Sequence, residues 1–292
     1  MIRVALAIDV PDWHARAMRT AFAEAGAEAV PLRLADCWFE TGRGGGVALP
    51  GFERGLPDAM FVRAIAGGSF EEVTRRLGVL HALRELGVPV WNDARAIERC
   101  VDKSMTSFLL AAAGLPTPPT WVVEGEAAAR AVALRELPAG PLVGKPLFGS
   151  QGRGLRLVAR IEDLPPPEAV QGVYYLQRFV APSGPGYADH RLLVAGGAVL
   201  AAMTRRHRSW ITNLWQGAAP EKLVADPELV RLALAASETV GADYAGVDLL
   251  RGADGVVQVI EVNSMPGWRG LQKVADAPIA RGLATALLSR LR

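Results

Sequence analysis

Between Gly246 and Asn263 the chain places acid in a stretch that otherwise reads as buried sheet. Gly246-Val247-Asp248-Leu249-Leu250 and Val257-Gln258-Val259-Ile260-Glu261-Val262-Asn263 are two short strands rich in Val, Ile and Leu. They are joined through Gly252-Ala253-Asp254-Gly255, which is a hairpin signal. Side chains alternate along a strand, so Glu261 and Asn263 share a face. With residues 251 and 256 closing the turn, Asp248 falls opposite Val259, on that same face and diagonal to Glu261. Two carboxylates and an amide among aliphatics are costly unless something pairs with them. A hard divalent cation such as magnesium takes such oxygen ligands. The alternative is the solvated side of an edge hairpin. It ranks lower because Asn263 runs straight into Ser264-Met265-Pro266-Gly267, a turn at which a ligand can approach.

The rest of the chain has to supply whatever that acid faces. At 292 residues, two or three ordinary domains fit, and half the residues are hydrophobic, so a sizeable core is expected and disorder is not. A net charge of +2 argues against a nucleic-acid or membrane footprint. Cys37 and Cys100 make no disulfide framework and sit in no metal spacing. The apolar run at Met1–Leu6 is too short for a signal peptide and Asp9 ends it. No apolar segment is long enough to span a bilayer, and a cytoplasmic protein is expected.

In chain order, strands at 3–8, 28–34 and 59–65 alternate with helices at 12–25 and 69–86, the second capped by Ser69. A short strand, Val88-Pro89-Val90-Trp91, follows. This predicts an open parallel α/β domain over the first third. No glycine fingerprint follows the first strand, which weighs against dinucleotide binding, and Gly42-Arg43-Gly44-Gly45-Gly46 reads as a loop. Helices are expected at 94–100, 103–113 and 124–137, strands at 141–145, 155–159, 174–180, 189–194 and 199–206, then helices at 226–240 and from Ile279 onward. No internal repeat is present.

Two lysines and one loop stand out. Lys103 occupies the first turn of its helix, where a cation opposes the macrodipole, so it is either turned to solvent or used on an anion. Lys145 ends a strand that enters Leu147-Phe148-Gly149-Ser150-Gln151-Gly152-Arg153-Gly154. That glycine-rich loop lies between strands, so it is not a Walker loop. It suits a flap whose backbone N–H groups approach phosphate oxygens, with Lys145 as a point charge. The run Arg205-Arg206-His207-Arg208 is either a solvated strand end or an anchor for a phosphate or carboxylate.

In that order and at those spacings, lysine, lysine with flap, and acid hairpin resemble the ATP-grasp superfamily, nearest its RimK-like amino-acid ligase branch. The resemblance runs from about residue 92 to about 270. It implies an α/β (α+β) protein with an N-terminal parallel α/β domain (1–93), a small central α+β lid domain (94–178) and a C-terminal antiparallel-sheet domain (179–292). Asn92-Asp93 and Asp102-Lys103-Ser104 resemble the first nucleotide-lysine segment. Val143-Gly144-Lys145-Pro146 with Gly149, Ser150, Gln151 and Gly152 resembles the second lysine and phosphate flap. Leu176-Gln177-Arg178-Phe179-Val180 resembles the hinge strand whose backbone meets adenine. Asp189-His190-Arg191 resembles an Asp-x-Arg motif with the Asp near the nucleotide, and Thr212-Asn213 a Ser-Asn pair.

The acid hairpin with Pro266-Gly267 is the most specific match. The resemblance gives it one or two magnesium ions, or manganese, on Asp248, Glu261 and Asn263. The implied reaction is ATP-dependent amide formation through an acyl phosphate. The implied partners are a small-molecule carboxylate and an amine, glutamate or another small amino acid, with a methanopterin or methanofuran type of cofactor precursor as one acceptor. A protein acceptor, a non-catalytic nucleotide-binding protein, a phosphotransferase and a homo-oligomer stay open. Arg205 or Arg206 is expected to hold the acyl phosphate, and Arg269 to grip a substrate carboxylate.

Overall fold

The computed structural model describes residues 1–42, 46–149 and 152–291. The first sheet forms because its strands are apolar on both faces. β1 (Ile2–Ala7) is buried along its last four residues, and β5 (Ala59–Val62) is buried throughout. Asp12 accepts from the Ala15 N–H and starts α1 (Trp13–Glu24), which returns the chain to β2 (Ala27–Leu32) beside β1. A short antiparallel pair, β3 (Trp38–Glu40) and β4 (Gly46–Ala48), precedes β5 on the far side of β1. Ser69 and Glu72 form a reciprocal cap that opens α2 (Phe70–Glu85), and β6 (Val90–Trp91) closes the sheet. The order is β2-β1-β5-β6, all parallel.

α3 (Ala94–Val101) and α4 (Lys103–Ala112) lead into a small antiparallel sheet ordered β7-β10-β8-β9. Its elements are β7 (Thr120–Glu124), α5 (Glu126–Glu136), β8 (Leu142–Lys145), β9 (Arg156–Val158) and β10 (Val173–Arg178). β7 is absent from the sequence-based expectation, which starts a helix at Glu124; the tract of prolines at 116, 118 and 119 conceals a strand that begins directly after it.

The third sheet is antiparallel and ordered β13-β12-β11-β14-β15. It is built from β11 (Tyr187–Ala195), β12 (Ala198–His207), β13 (Ala219–Lys222), β14 (Tyr244–Arg251) and β15 (Val257–Asn263). α6 (Pro227–Val240) covers one face, where Leu229, Leu232 and Ala236 meet Val247, Val257, Val259 and Val262. The other face changes character along its length. Leu193, Ala195, Met203 and Tyr244 join the first sheet, α1 and α8 (Ile279–Ser289) in one apolar cluster, with α7 (Arg269–Gln272) between. Further along that same face stand Asp189, Arg191, Arg205 and Asp248. The core therefore ends where the charge begins, and a cleft opens there.

The expected hairpin register is corrected in two places. Arg251 pairs with Val257, so the turn holds one more residue than expected. A bulge then follows, and Glu261, not Val259, stands opposite Asp248. The extra residue is Ile260. Without it, Val259 and Val262 could not both face α6 while Glu261 faces Asp248, because side chains alternate strictly.

Candidate active site

Residues from all three sheets line a cavity of about 620 Å³. Fourteen of the residues expected from sequence do so: Lys103, Lys145, Gly149, Gly152, Gln177, Arg178, Phe179, Val180, Asp189, Asn213, Arg205, Asp248, Glu261 and Asn263. Ser150 and Gln151 lie outside the described residues, as do Arg43, Gly44 and Gly45 of the earlier glycine run. Arg206 and Arg269 are not in the lining. Arg206 alternates to the other side of β12, where it pairs with Glu221 at 2.7 Å and is 57% exposed, and Arg269 is exposed on α7.

The acidic wall is fixed from below. Asn92 is fully buried, and its side chain donates to the carbonyls of Tyr244 (2.7 Å) and Ser264 (2.6 Å). The same amide accepts from the N–H groups of Asp243 (2.7 Å) and Tyr244 (3.1 Å). One side chain thus ties together the start of β14 and the exit of β15. Asp248 accepts two hydrogen bonds from Arg191, both 2.6 Å, and lies 3.0 Å from Arg205. Arg205 in turn forks onto Asp189, with Nε to Oδ1 at 2.7 Å. Burial alone would raise the Asp248 carboxyl, but the Arg191 and Arg205 guanidiniums hold it below its ordinary value.

Among the described residues Glu261 has no ion-pair partner, and Asn263 spends only its N–H₂, at 3.4 Å on the Gly246 carbonyl. A carboxylate and an amide oxygen with no protein donor among the described residues, beside a second carboxylate, form a hard-oxygen set that suits magnesium or manganese. No group of three His, Cys, Asp or Glu side chains of metal-binding geometry occurs among the described residues.

The basic wall is complementary. Lys103 donates to the carbonyls of Leu147 (3.2 Å) and Gly149 (2.9 Å), and so holds the entry to the glycine loop. Burial lowers its pKa, against the pull of Glu261 and Asp102. Lys145 lies 5.6 Å from the Tyr175 ring centroid, with no carboxylate within ion-pair distance among the described residues. Burial pushes its ammonium down to about 8, although Glu261 favours the charged form. Across the cleft, Gln216 donates to the Gly152 carbonyl at 3.1 Å. Gly152 has φ +68°, and a Cβ there would stand 2.9 Å from Gln216 and 3.0 Å from Ile211, so only glycine allows this approach.

At the end of β10, Arg178 turns its guanidinium away from the cleft, to the carbonyls of Glu136 (3.0 Å) and Gly140 (2.6 Å) and the Glu136 carboxylate (2.8 Å). The backbone is what it leaves to the cleft. The Val180 N–H has no acceptor among the described residues, and Phe179 sits edge-on to Trp210 at 6.2 Å.

Sequence reasoning missed Arg63, His14 and Asp12, which bring the first sheet into the same cavity. The signal was present: all three follow strand ends of a parallel sheet.

Two antiparallel sheets closing on a lysine-lined cleft, with an acid hairpin as one wall, define an ATP-grasp enzyme. The chain belongs to the RimK-like ATP-grasp family: the RimK-like ATP-grasp domain model matches residues 100–287. It is 38% identical over 235 residues to the tetrahydromethanopterin:alpha-L-glutamate ligase of Methanococcus maripaludis, covering 78% of each chain. It is 28% identical over 213 residues to the alpha-aminoadipate–LysW ligase LysX of Saccharolobus solfataricus, covering 69% of this chain and 74% of that one. Among solved structures, the RimK domain ATP-grasp protein of Sphaerobacter thermophilus superposes with a TM-score of 0.71 at 26% identity, over 97% of this chain and 98% of that one. The ATP-grasp ligase PsnB with its minimal precursor gives 0.77 at 21%, over 99% of each chain, a likeness of fold. The protein is an ATP-using ligase that forms carbon–nitrogen bonds.

Proposed function

We propose that this enzyme joins a small amino acid, L-glutamate in the first instance, to a carboxylate of a small-molecule precursor. The observation that carries the reading is the pairing across one cleft of Lys103 and Lys145 with Asp248, Glu261 and Asn263. The choice of glutamate rests on the relative from Methanococcus maripaludis. No helix among the described residues is long and apolar enough to cross a membrane.

In this reading the adenine lies against the Gln177–Val180 backbone, whose open Val180 N–H meets a ring nitrogen. Asp189 and Asn213 face the nucleotide. Lys103 and Lys145 offset phosphate charge, as half-buried cations with no ion-paired carboxylate among the described residues are suited to do. Asp248, Glu261 and Asn263 would hold one or two magnesium ions, which when bound would supply charge neutralisation at the phosphates. The precursor carboxylate oxygen attacks that phosphorus, the bond to ADP breaks, and an acyl phosphate forms. The amino group then attacks the acyl carbon, phosphate leaves with the C–O bonding pair, and the nitrogen loses a proton to give the amide. Arg205, held by Asp189 and Asp248, is the cation assigned to the acyl phosphate in this reading. The glycine loop, held by Lys103 and Gln216, keeps water from that intermediate.

A coupled ADP-release assay over pairs of amino acids and small carboxylates, with mass spectrometry of the product, tests this. ADP release that needs both partners, and a product heavier by one amino acid less water, are expected. ADP release with no amide formed would overturn the reading.

A pH dependence also follows. Lys145 is charged below about 8 in the free enzyme, whereas an unfolded chain keeps the ordinary value of 10.5. Affinity for ATP therefore weakens as pH climbs through 8, with a limiting slope of one proton. Over the window from about 8 to 10.5 the unfolded chain binds more protons, so stability of the free protein rises with pH through this group. Titrating an ATP analogue between pH 7 and 9.5 checks the first, and Lys145→Met should flatten the profile.

A further inference from the structure

β1 leaves through α1 to β2 on one side, and β5 leaves through α2 to β6 on the other, so a crevice opens between their carboxyl ends. Open α/β sheets receive ligands at such switch points. Arg63 follows β5 directly, and its N–H and that of Ala64 both bond the last carbonyl of β1, Ala7, at 2.9 and 3.2 Å. Asp12 and His14 follow β1, and all three side chains line the ATP cleft. Arg63 is a half-buried cation with no carboxylate within ion-pair distance among the described residues. Its contacts are the Met265 carbonyl at 3.2 Å and the Trp268 ring at 5.3 Å, and its Nε is buried with no hydrogen-bond partner among the described residues. Both contacts come from the turn that leaves the acid hairpin. His14 is fully engaged: Nδ1 bonds Asp12 at 2.8 Å and Nε2 accepts from the Trp268 N–H at 3.2 Å. It braces the turn under Arg63 and has no lone pair left to act as a base.

We propose that Arg63 is the specificity-determining residue for the amino-acid nucleophile and takes its α-carboxylate, a group every such nucleophile carries and does not use in the reaction. This rests on the amino-acid ligase reading. The reacting carboxylate must reach the phosphates at the two lysines, so a separate cation on the first sheet serves a carboxylate that stays intact. A guanidinium meets a carboxylate through two parallel hydrogen bonds, and a simple amine would leave it unpaired in a desolvated wall, which is how a polar site rejects an analogue lacking the matching group.

The test is calorimetric titration of the full chain, with magnesium and a non-hydrolysable ATP analogue, using the twenty amino acids and their α-carboxamides, L-glutamate first. The wild type should bind its amino acid about 10- to 100-fold more tightly than the corresponding α-carboxamide. Arg63→Lys and Arg63→Gln should lose most of that ratio while keeping wild-type affinity for the ATP analogue. Retention of the ratio in both variants overturns the proposal. Loss of ATP-analogue affinity in both also overturns it, by making Arg63 a strut of the cleft. If the wild type binds no amino acid, the ligase reading fails and this assignment falls with it, a result distinct from either variant outcome.

Discussion

Glu261→Gln is expected to lower turnover by about 10³-fold or more while leaving the folded protein as stable as the wild type to within about 1 kcal/mol. The two halves of the expectation have separate causes. Glu261 has no ion-pair partner among the described residues, and glutamine has nearly its shape, so nothing in the packing is lost. The substitution even removes a like charge from opposite Asp248. What disappears is one of two carboxylates on the acid wall, and with it the strongest unshared oxygen donor for a divalent ion. A second consequence can be read in the same protein. Glu261 is the leading influence that favours the charged forms of Lys103 and Lys145, so its neutralisation lets burial lower both lysines further. The weakening of ATP-analogue binding above pH 8 should then begin at lower pH. ADP release against magnesium concentration, thermal melting and the pH titration together check it. A hairpin face that merely met solvent would give unchanged turnover, and that result would sink the metal assignment.

The acid hairpin was legible because its chemistry is local. Glu261 and Asn263 share a face by strand alternation alone, and Val-rich flanks make acid there conspicuous. Its register was not, because the bulge at Ile260 exists to satisfy α6, a partner about twenty residues upstream of Glu261. Lys103 and Lys145 were found through their awkward positions, one at a helix start and one before a glycine loop. Arg205 and Arg206 could not be told apart from a basic run; only the pairing of β12 with β11 puts Arg205 on Asp189 and turns Arg206 to Glu221. Arg269 stood out by lying just past the hairpin, whereas Arg63 lies almost two hundred residues from Asp248 and reaches the cleft through the topology of the first sheet. Tertiary pairing, not local pattern, decides such cases. The same holds for Asn92, whose four hydrogen bonds to the hairpin ends span more than 150 residues of sequence.

Arg205→Met and Arg206→Met, one residue apart, should behave as opposites. Arg205 is 4% exposed and joins Asp189 and Asp248, both buried, with Arg191 completing a lattice of two acids and two bases. Such a lattice adds little over an apolar core when whole, but removing one member strands a charge in a medium that cannot solvate it, at a cost of about 3–5 kcal/mol. For a chain of this size that corresponds to a melting temperature lower by about 10 °C. Turnover should fall as well, since Asp248 keeps only Arg191 and, in the proposed reaction, the acyl phosphate loses its cation. Arg206 pairs with Glu221 where both are about half exposed, a pair worth less than about 1 kcal/mol, and it lies outside the cavity. Its methionine variant should melt and turn over as the wild type does. Arg205→Lys separates the two effects at Arg205: it keeps a charge for the acids but cannot fork onto Asp189 while reaching Asp248, so most of the stability returns and the turnover does not. Melting curves and ADP release for the three variants decide the matter. If Arg206→Met were the inactive protein and Arg205→Met the active one, the assignment of the acyl-phosphate cation to Arg205 would be wrong.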